Sequence, residues 1–435
     1  MLGHRLLVIA LTAGLLGAAS PAYAETRGPI ATFAPLPAHP AVTPAARAAR
    51  DRLLGDRWDD PGYVTLHWTG VSSMVVTIHG HLLLFDAWQI IGAVDDYLPL
   101  SRDDLAALDP EAILVGHGHF DHAGDLGFVA GKSGAVVVGS DEICGVAVEG
   151  ATREGVGTAF RCAITGTMTS PAMGVTQQLK LFADLPPVSI LQHIHSAATP
   201  PGNGNDPDPF FPIMDPQPYI DHFNNDPDEL ARFLAQQQES NQGGTWIYHL
   251  VDGDFTLLLG DSAGPIFDKP AIRTALGRFP GCVDVMANAI LGFDQPVSGL
   301  ADPVDYVDAV KPTLFLPTHA DAWAPVLSAG QAQYKDKLMT ELAELKNPPR
   351  VDFLLDPQDY LKQRAYRVAD ARWRTPPPGS VCAAAATRPS PVPAASPSSG
   401  PSAGGGLPTT GGTPAYLAVL VLATAFVLRR RMSRQ

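Results

Sequence analysis

Between Val115 and His122 the chain reads Val-Gly-His-Gly-His-Phe-Asp-His, which places three imidazoles, His117, His119 and His122, and one carboxylate, Asp121, within six positions. Neutral imidazole and carboxylate are the ligands that borderline divalent metals prefer, and one segment can supply four of them only where its backbone turns sharply between them. Gly116 and Gly118 permit that turning. A lone histidine would be read as a packed side chain. Four potential ligands at this spacing, with distant partners, point to a metal site.

The partners recur where apolar runs stop. The run 82–85 ends at Asp86, 113–115 at His117 and His119, 188–191 near His193 and His195, 255–259 at Asp261, and 313–316 at His319. Buried strands ending along one sheet edge would gather these groups. His193 and His195, two apart on a strand, share a face. His195 is favoured because it falls at the strand end, before Ser196-Ala197-Ala198. Asp86 reads equally well as support for the site and as a turn-capping carboxylate. His67, His79, His81, His222 and His249 are expected to be structural or surface histidines, although His67 and Trp68 could reach the rim of the site.

The pattern His117-x-His119-x-Asp121-His122 resembles the HxHxDH signature of the metallo-β-lactamase superfamily, and the resemblance extends over roughly residues 60–365. It implies an α/β (α+β) fold, a four-layer αββα sandwich, with one or two divalent metal ions, usually zinc, at one edge between two sheets; the ligands present here are enough for two. By the same resemblance His117, His119 and a third histidine, His195 in preference to His193, hold the first ion, Asp121, His122 and His319 the second, and Asp261 bridges them, with Asp86 supporting the site from behind. Two such ions facing one water lower its pKa from nearly 16 to about 7, so hydroxide is available at neutral pH without a strong protein base. Asp121 is then the catalytic residue, orienting the nucleophile or passing a proton to the leaving group. Within the family true β-lactamases usually lack an acidic bridge, so Asp261 leans towards a lactonase, esterase or phosphodiesterase. The glycines around the second hairpin and Gly260-Asp261-Ser262 look most like the branch that includes the ascorbate-phosphate lactonases.

A chain of 435 residues allows one large domain or two ordinary ones. A net charge of −14 argues against nucleic acid or an anionic membrane as the main partner and leaves a small-molecule substrate, an anionic one included because a bound metal pair would reverse the sign locally. Residues 1–24 have the form of a signal peptide: His4 and Arg5, an apolar core over 6–16, and Ala22-Tyr23-Ala24 as the cleavage site. A leader segment, 25–60, with a short helix near 44–54, precedes the domain at 61–370. Of the four cysteines, Cys144, Cys162, Cys282 and Cys382, the first two are the easiest pair to join. Closing that loop would stabilise the fold by about 3 kcal/mol in the chain-entropy model.

Within the domain, strands are expected over 64–68, 73–78 and 81–86, with a turn at His79-Gly80, and then over 135–139, 163–164 and 188–191. Ser101 should cap a helix to 108, and Asp226-Pro227-Asp228-Glu229 should start one running to about 238. Between them, 198–227 is a long insertion dense in Pro, Asp and Asn around Phe210-Phe211, whose aromatics could cover a cleft or simply pack. A hairpin around Asp252-Gly253, a buried strand within 280–291, a strand at 313–316, a helix over 331–345 and a last strand at 351–355 complete the domain.

A Pro/Ser/Ala/Gly-rich linker, 371–406, follows, and 407–435 joins Leu407-Pro408-Thr409-Thr410-Gly411 to an apolar run over 416–428 and Arg429-Arg430-Arg431. This order resembles the LPxTG sorting signal of Gram-positive surface proteins, implying sortase cleavage after Thr410, attachment to peptidoglycan and only transient membrane contact. An ordinary membrane anchor with a cytoplasmic basic end is the alternative. The expected function is that of a secreted, cell-wall-anchored dinuclear-metal hydrolase of an ester, lactone or phosphodiester bond. The alternatives are a wall-displayed metal-binding protein without turnover, a β-lactamase, and di-iron redox chemistry, which would call for a flavin domain this chain lacks.

Overall fold

Apolar residues sit on both faces of most strands, the pattern of sheets covered on each side. In the computed structural model, which describes residues 27–38, 41–89, 100–196, 212, 217–279, 283–292, 299–323 and 330–370, they build two sheets with helices outside both. The strands are β1 (Arg27–Pro29), β2 (Tyr63–Gly70), β3 (Ser73–Ile78), β4 (His81–Phe85), β5 (Ala112–Leu114), β6 (Val136–Gly139), β7 (Cys162–Ile164), β8 (Thr176–Leu179), β9 (Val188–His193), β10 (Thr245–Asp252), β11 (Phe255–Gly260), β12 (Val285–Ala289), β13 (Leu314–Thr318), β14 (Arg350–Val351) and β15 (Arg364–Arg367). The first sheet runs β1-β7-β6-β5-β4-β3-β2-β15 and the second β14-β13-β12-β11-β10-β9-β8. The expected αββα sandwich is what forms.

Direction decides where the ligands go. In the first sheet β4 and β5 are parallel. In the second β11, β12 and β13 are parallel, and β9 shares their direction because both it and β11 run against β10. The C-terminal ends of β4 and β5 thus share one edge of their sheet, and those of β9, β11 and β13 share one edge of theirs. Tyr248, fully buried on β10, bolts the sheets together: its hydroxyl donates to the Val115 and Val138 carbonyls at 2.8 and 3.1 Å. Trp68, Phe85, Trp246 and Phe315 are also fully buried, and each side chain of this size contributes about 1.5–3 kcal/mol by leaving water.

The helix starts follow their caps. Ser101 and Asp104 form a reciprocal capping box ahead of the helix Arg102–Ala107, and the Asp226 side chain accepts from Glu229 N at 2.9 Å at the start of Pro227–Glu239. The segment expected as a leader is woven into the domain instead. Its β1 pairs in parallel with β7, Leu36 bridges Phe182, and the buried Arg50 of helix Pro44–Leu54 donates to the Leu108 and Asp109 carbonyls at 2.8 Å. Cys144 and Cys162 are disulfide-bonded, with Cα atoms 6.3 Å apart. The signal and sorting segments, the linker, Cys282, Cys382, and Phe210 and Phe211 of the insertion lie outside the described residues. Among the described residues no helix is long and apolar enough to cross a membrane.

Candidate metal centre

Asp86 follows β4 with φ +57°, a conformation that turns its carboxylate back towards the sheet edge. One oxygen accepts the Gly116 N–H at 2.9 Å; the other accepts the Ser72 hydroxyl at 2.8 Å and faces His122 Nδ1 at 2.9 Å. The loop after β5 is tied to the opposite sheet through its backbone. Trp246 N donates to Gly116 O at 2.7 Å, Gly118 N to Gln242 O at 2.9 Å, and Asn241 N to Gly118 O at 3.0 Å. A Cβ on Gly116 would sit 2.0 Å from Asp261 Cγ, and one on Gly118 would sit 2.1 Å from Asn241 O. These glycines are therefore needed for close approach across the sandwich rather than for the sharp turning expected of them. His119 caps the short helix Phe120–Ala123, which presents Asp121 and His122 in its first turn.

From the second sheet, β9 stops at His193, so His195 lies beyond the strand and the two do not share a surrounding. His193 Nδ1 meets the Tyr306 hydroxyl at 2.8 Å, whereas His195 Nε2 lies 3.1 Å from His117 Nε2. His319 follows β13 with φ +72°, and its N–H donates to Val71 O at 2.8 Å. Asp261 follows β11 and lies under His117, with Oδ2 2.7 Å from Nδ1. The other histidines sit elsewhere: His67 bonds Leu54 O at 3.1 Å, His79 pairs with Asp252, His81 with Glu111 and Asp184, His222 with Glu229, and His249 stacks on Phe279.

Donor atoms on one tetrahedral ion bound at 2.0–2.1 Å lie about 3.3 Å apart. His117 Nε2 lies 3.0 Å from His119 Nδ1 and 3.1 Å from His195 Nε2. His122 Nε2 lies 3.0 Å from His319 Nε2, and Asp121 Oδ2 is 3.5 and 3.4 Å from those two nitrogens. The far nitrogens of three of these rings are committed as donors, His117 Nδ1–H to Asp261, His122 Nδ1–H to Asp86, and His195 Nδ1–H to Ser196 O at 2.8 Å. Their Nε2 lone pairs are left to converge, an arrangement that repels unless a cation lies between them. Asp121 Oδ1 and Asp261 Oδ1 are buried without hydrogen-bond partners. The donor set thus fits two divalent ions.

The charges agree. Burial and the neighbouring histidines hold His117 and His195 well below the ordinary imidazole value, and burial brings His119 down to about 4, so these rings are neutral ligands at neutral pH. Burial also opposes charge on His122, yet Asp121, Asp261 and Asp86 overrule it and push that ring up to about 10. Three buried carboxylates here demand positive charge, and a metal answers the same demand. Burial and Asp86 drive the Asp261 carboxyl well above the carboxylate range.

The cleft over these groups is open to solvent, with a cavity volume of only about 20 Å³, and is lined, besides the ligands, by Ser196, Ser262, Leu291, Gly292 and Trp323. Its apolar wall was not legible from sequence: Trp323 stands four residues after His319, and nothing in its spacing marks it as part of the site. Ser72, between His122 and Asp86, was hidden in the turn between β2 and β3. Trp68, expected near the rim, is buried with its indole N–H on Val71 O at 2.9 Å.

Residues 66–160 match the model of the Metallo-beta-lactamase superfamily. A metal-dependent hydrolase of Pyrobaculum neutrophilum is 35% identical over 78 residues, covering 18% of this chain and 33% of that protein. One of Myxococcus xanthus is 34% identical over 85 residues, covering 19% of this chain and 28% of that protein. The chain thus spans about a third of the length of these relatives. The structure of a metallo hydrolase from Ignicoccus hospitalis aligns over 70% of this chain and 98% of its own, with a TM-score of 0.44 and 14% identity. The family match takes in Asp86 and the loop from His117 to His122, while His195, Asp261 and His319 lie beyond it.

Proposed function

We propose that this chain is a dinuclear metal-dependent hydrolase of an ester, lactone or phosphodiester bond, exported and attached to the cell wall. The observation that carries the reading is the pair of donor trios, each at the spacing one tetrahedral ion imposes. His117, His119 and His195 would hold one ion and Asp121, His122 and His319 the other, and Asp261, whose buried Oδ1 has no hydrogen-bond partner, would be a ligand shared by the pair. Zinc fits this borderline donor set. When bound, such a pair supplies a nucleophilic hydroxide at neutral pH and positive charge for the developing oxyanion.

The chain's own residues do the rest. Asp86 and Ser72 fix the tautomer and plane of His122, and Asp261 does the same for His117. Asp121 Oδ1 lies free of protein partners at the cleft, where it can hold the proton released during attack and return it to the leaving oxygen. Trp323 and Leu291 exclude water from one side of the cleft. Export and wall attachment rest on the terminal segments and on the Cys144–Cys162 disulfide, a bond that persists in oxidising compartments.

The test is metal analysis of the purified chain joined to a panel of esters, lactones, phosphodiesters and β-lactams. Two equivalents of metal and chelator-sensitive turnover are expected, and His119→Ala should abolish turnover and lower metal content while the circular dichroism stays native. Full activity in that variant would exclude the site; tight metal with no turnover of any substrate would leave a metal-binding protein. For location, mass spectrometry of wall digests should find the chain ending at Thr410 joined to peptidoglycan, and recovery of residues 411–435 with the protein in the membrane fraction would exclude sortase processing.

A further inference from the structure

We infer that the substrate is an uncharged carbonyl compound, a lactone or ester with an apolar acyl portion laid against Trp323 and Leu291, and that anionic substrates, phosphodiesters included, are disfavoured. The inference rests on the hydrolase reading and narrows it.

Sites that grip a carboxylate or phosphate use Arg or Lys, because charge-assisted and bidentate donors are the strong ones. Among the described residues no Lys or Arg lines this cleft. The sequence extends the point along the chain on either side of each lining residue. No Lys or Arg occurs between Arg57 and Arg102, Arg102 and Lys132, Lys180 and Arg232, Arg232 and Lys269, Arg278 and Lys311, or Lys311 and Lys335, and these stretches hold every residue that lines the cleft. Two of the flanking cations are already committed: Arg102 pairs with Glu154 at 2.7 Å, and Arg232 with Glu229 at 3.1 Å, while both also face the buried Asp125. On a chain whose net charge is −14, no Lys or Arg among the described lining residues adds to the pull that bound metals would exert on an anion.

What the cleft offers besides its polar ligands is an apolar wall. The Trp323 ring stands nearly perpendicular to His319 at 5.2 Å, with its indole N–H on the His319 carbonyl at 3.3 Å, and is backed by Trp88 at 5.9 Å and Phe120 at 6.3 Å. An aromatic surface held from three sides pre-organises the site for an acyl chain or ring without a cost in ordering the side chain. In the reaction, water oxygen bonds to the carbonyl carbon, the acyl carbon–oxygen bond breaks with its electron pair going to the leaving oxygen, one of the water's protons ends on that oxygen, and the other leaves to solvent as the new acid ionises. The product carries a new carboxylate, for which no Lys or Arg among the described lining residues provides a side-chain charge.

The experiment uses the zinc-loaded full chain and a matched pair: an alkyl γ-lactone and the same lactone ending in a carboxylate, with bis(4-nitrophenyl) phosphate as the phosphodiester. The neutral lactone should exceed its carboxylate partner by roughly tenfold or more in kcat/KM, the scale of discrimination a few apolar contacts provide. Trp323→Ala should raise KM for the alkyl lactone roughly tenfold with kcat changed less, Trp323→Phe should restore it, and Leu291→Lys should shift the ratio towards the carboxylate. Calorimetry with the corresponding non-hydrolysable lactams should show the same order. The inference is overturned if the carboxylate lactone or the phosphodiester is turned over as well as the neutral lactone. If nothing is turned over with two metals bound, the hydrolase reading falls, and the lactam titrations still decide the charge preference of the cleft.

Discussion

The Asp86 carboxylate serves three groups at once, the Gly116 N–H, the Ser72 hydroxyl and His122 Nδ1. Its φ of +57° matters as much as its charge, because an alanine there would add backbone strain of about 1–2 kcal/mol to the loss of the carboxylate. Asp86→Asn is the cleaner variant: asparagine tolerates the left-handed region and keeps the shape, so the lost charge alone should weaken metal affinity by roughly 10 to 100-fold, measured by chelator competition. Gly116→Ala probes the close approach, since its Cβ would fall 2.0 Å from Asp261 Cγ. It should displace Asp261 and destabilise the fold by about 1–3 kcal/mol, as overpacking does, with metal content falling in parallel. Residue types and spacing made His117, His119, Asp121 and His122 legible. They left Asp86 ambiguous because a sequence carries no sign of the left-handed φ that aims it, and they assigned the glycines to turning because their partners across the sandwich, Asp261 and Asn241, are more than a hundred positions away.

At the scale of elements, what matters is how the two sheets hold their edges in register at the metals. Val71, in the turn between β2 and β3, has φ +53°, unusual for a β-branched residue. The Asp321 carboxylate holds its N–H at 3.0 and 3.2 Å, while its carbonyl accepts from His319 N at 2.8 Å and Trp68 Nε1 at 2.9 Å. Tyr360 donates to the same carboxylate at 2.5 Å. The network sets His319 from the opposite sheet. Asp321→Ala leaves the buried Val71 N–H without its acceptor, which should cost about 1–3 kcal/mol. It should also weaken binding of the ion at His319 more than that of the ion at His195, so that a metal titration resolves into one tight and one weakened step. Elements with long apolar runs, β2 to β4 and β9 to β13, were legible in the sequence. The edge strands were not: β1, β8 and β15 read Arg-Gly-Pro, Thr-Gln-Gln-Leu and Arg-Ala-Tyr-Arg, the short and polar kind that blunts an edge and carries no strand signature. The strand expected over 351–355 shrinks to β14 because its neighbour β13 is paired only through Leu314 and Phe315.

The whole molecule is closed by contacts far from the metals. The disulfide ties helix Asp141–Arg153 to β7, and replacing both cysteines by alanine should lower unfolding stability by about 3 kcal/mol, read from urea unfolding under saturating metal. At the starting end of β4, away from Asp86, His81 is fully buried between two acids. Nδ1 faces Glu111, just before β5, at 2.8 Å, and Nε2 faces Asp184, on the way into β9 of the other sheet, at 2.9 Å, while the ring stacks on Phe182 at 3.9 Å. Burial opposes its charge, but Glu111 and Asp184 together raise it above the ordinary imidazole value. A group raised on folding contributes stability that is fully present below the unfolded value of about 6.5 and is lost as pH rises through the folded value. The stability difference between the native chain and His81→Gln should therefore be largest in mildly acidic solution and shrink as the pH is raised, with metal held saturating throughout. A difference that stays constant with pH would mean that His81 acts through shape and neutral hydrogen bonds, and that the two sheets are not latched here by charge.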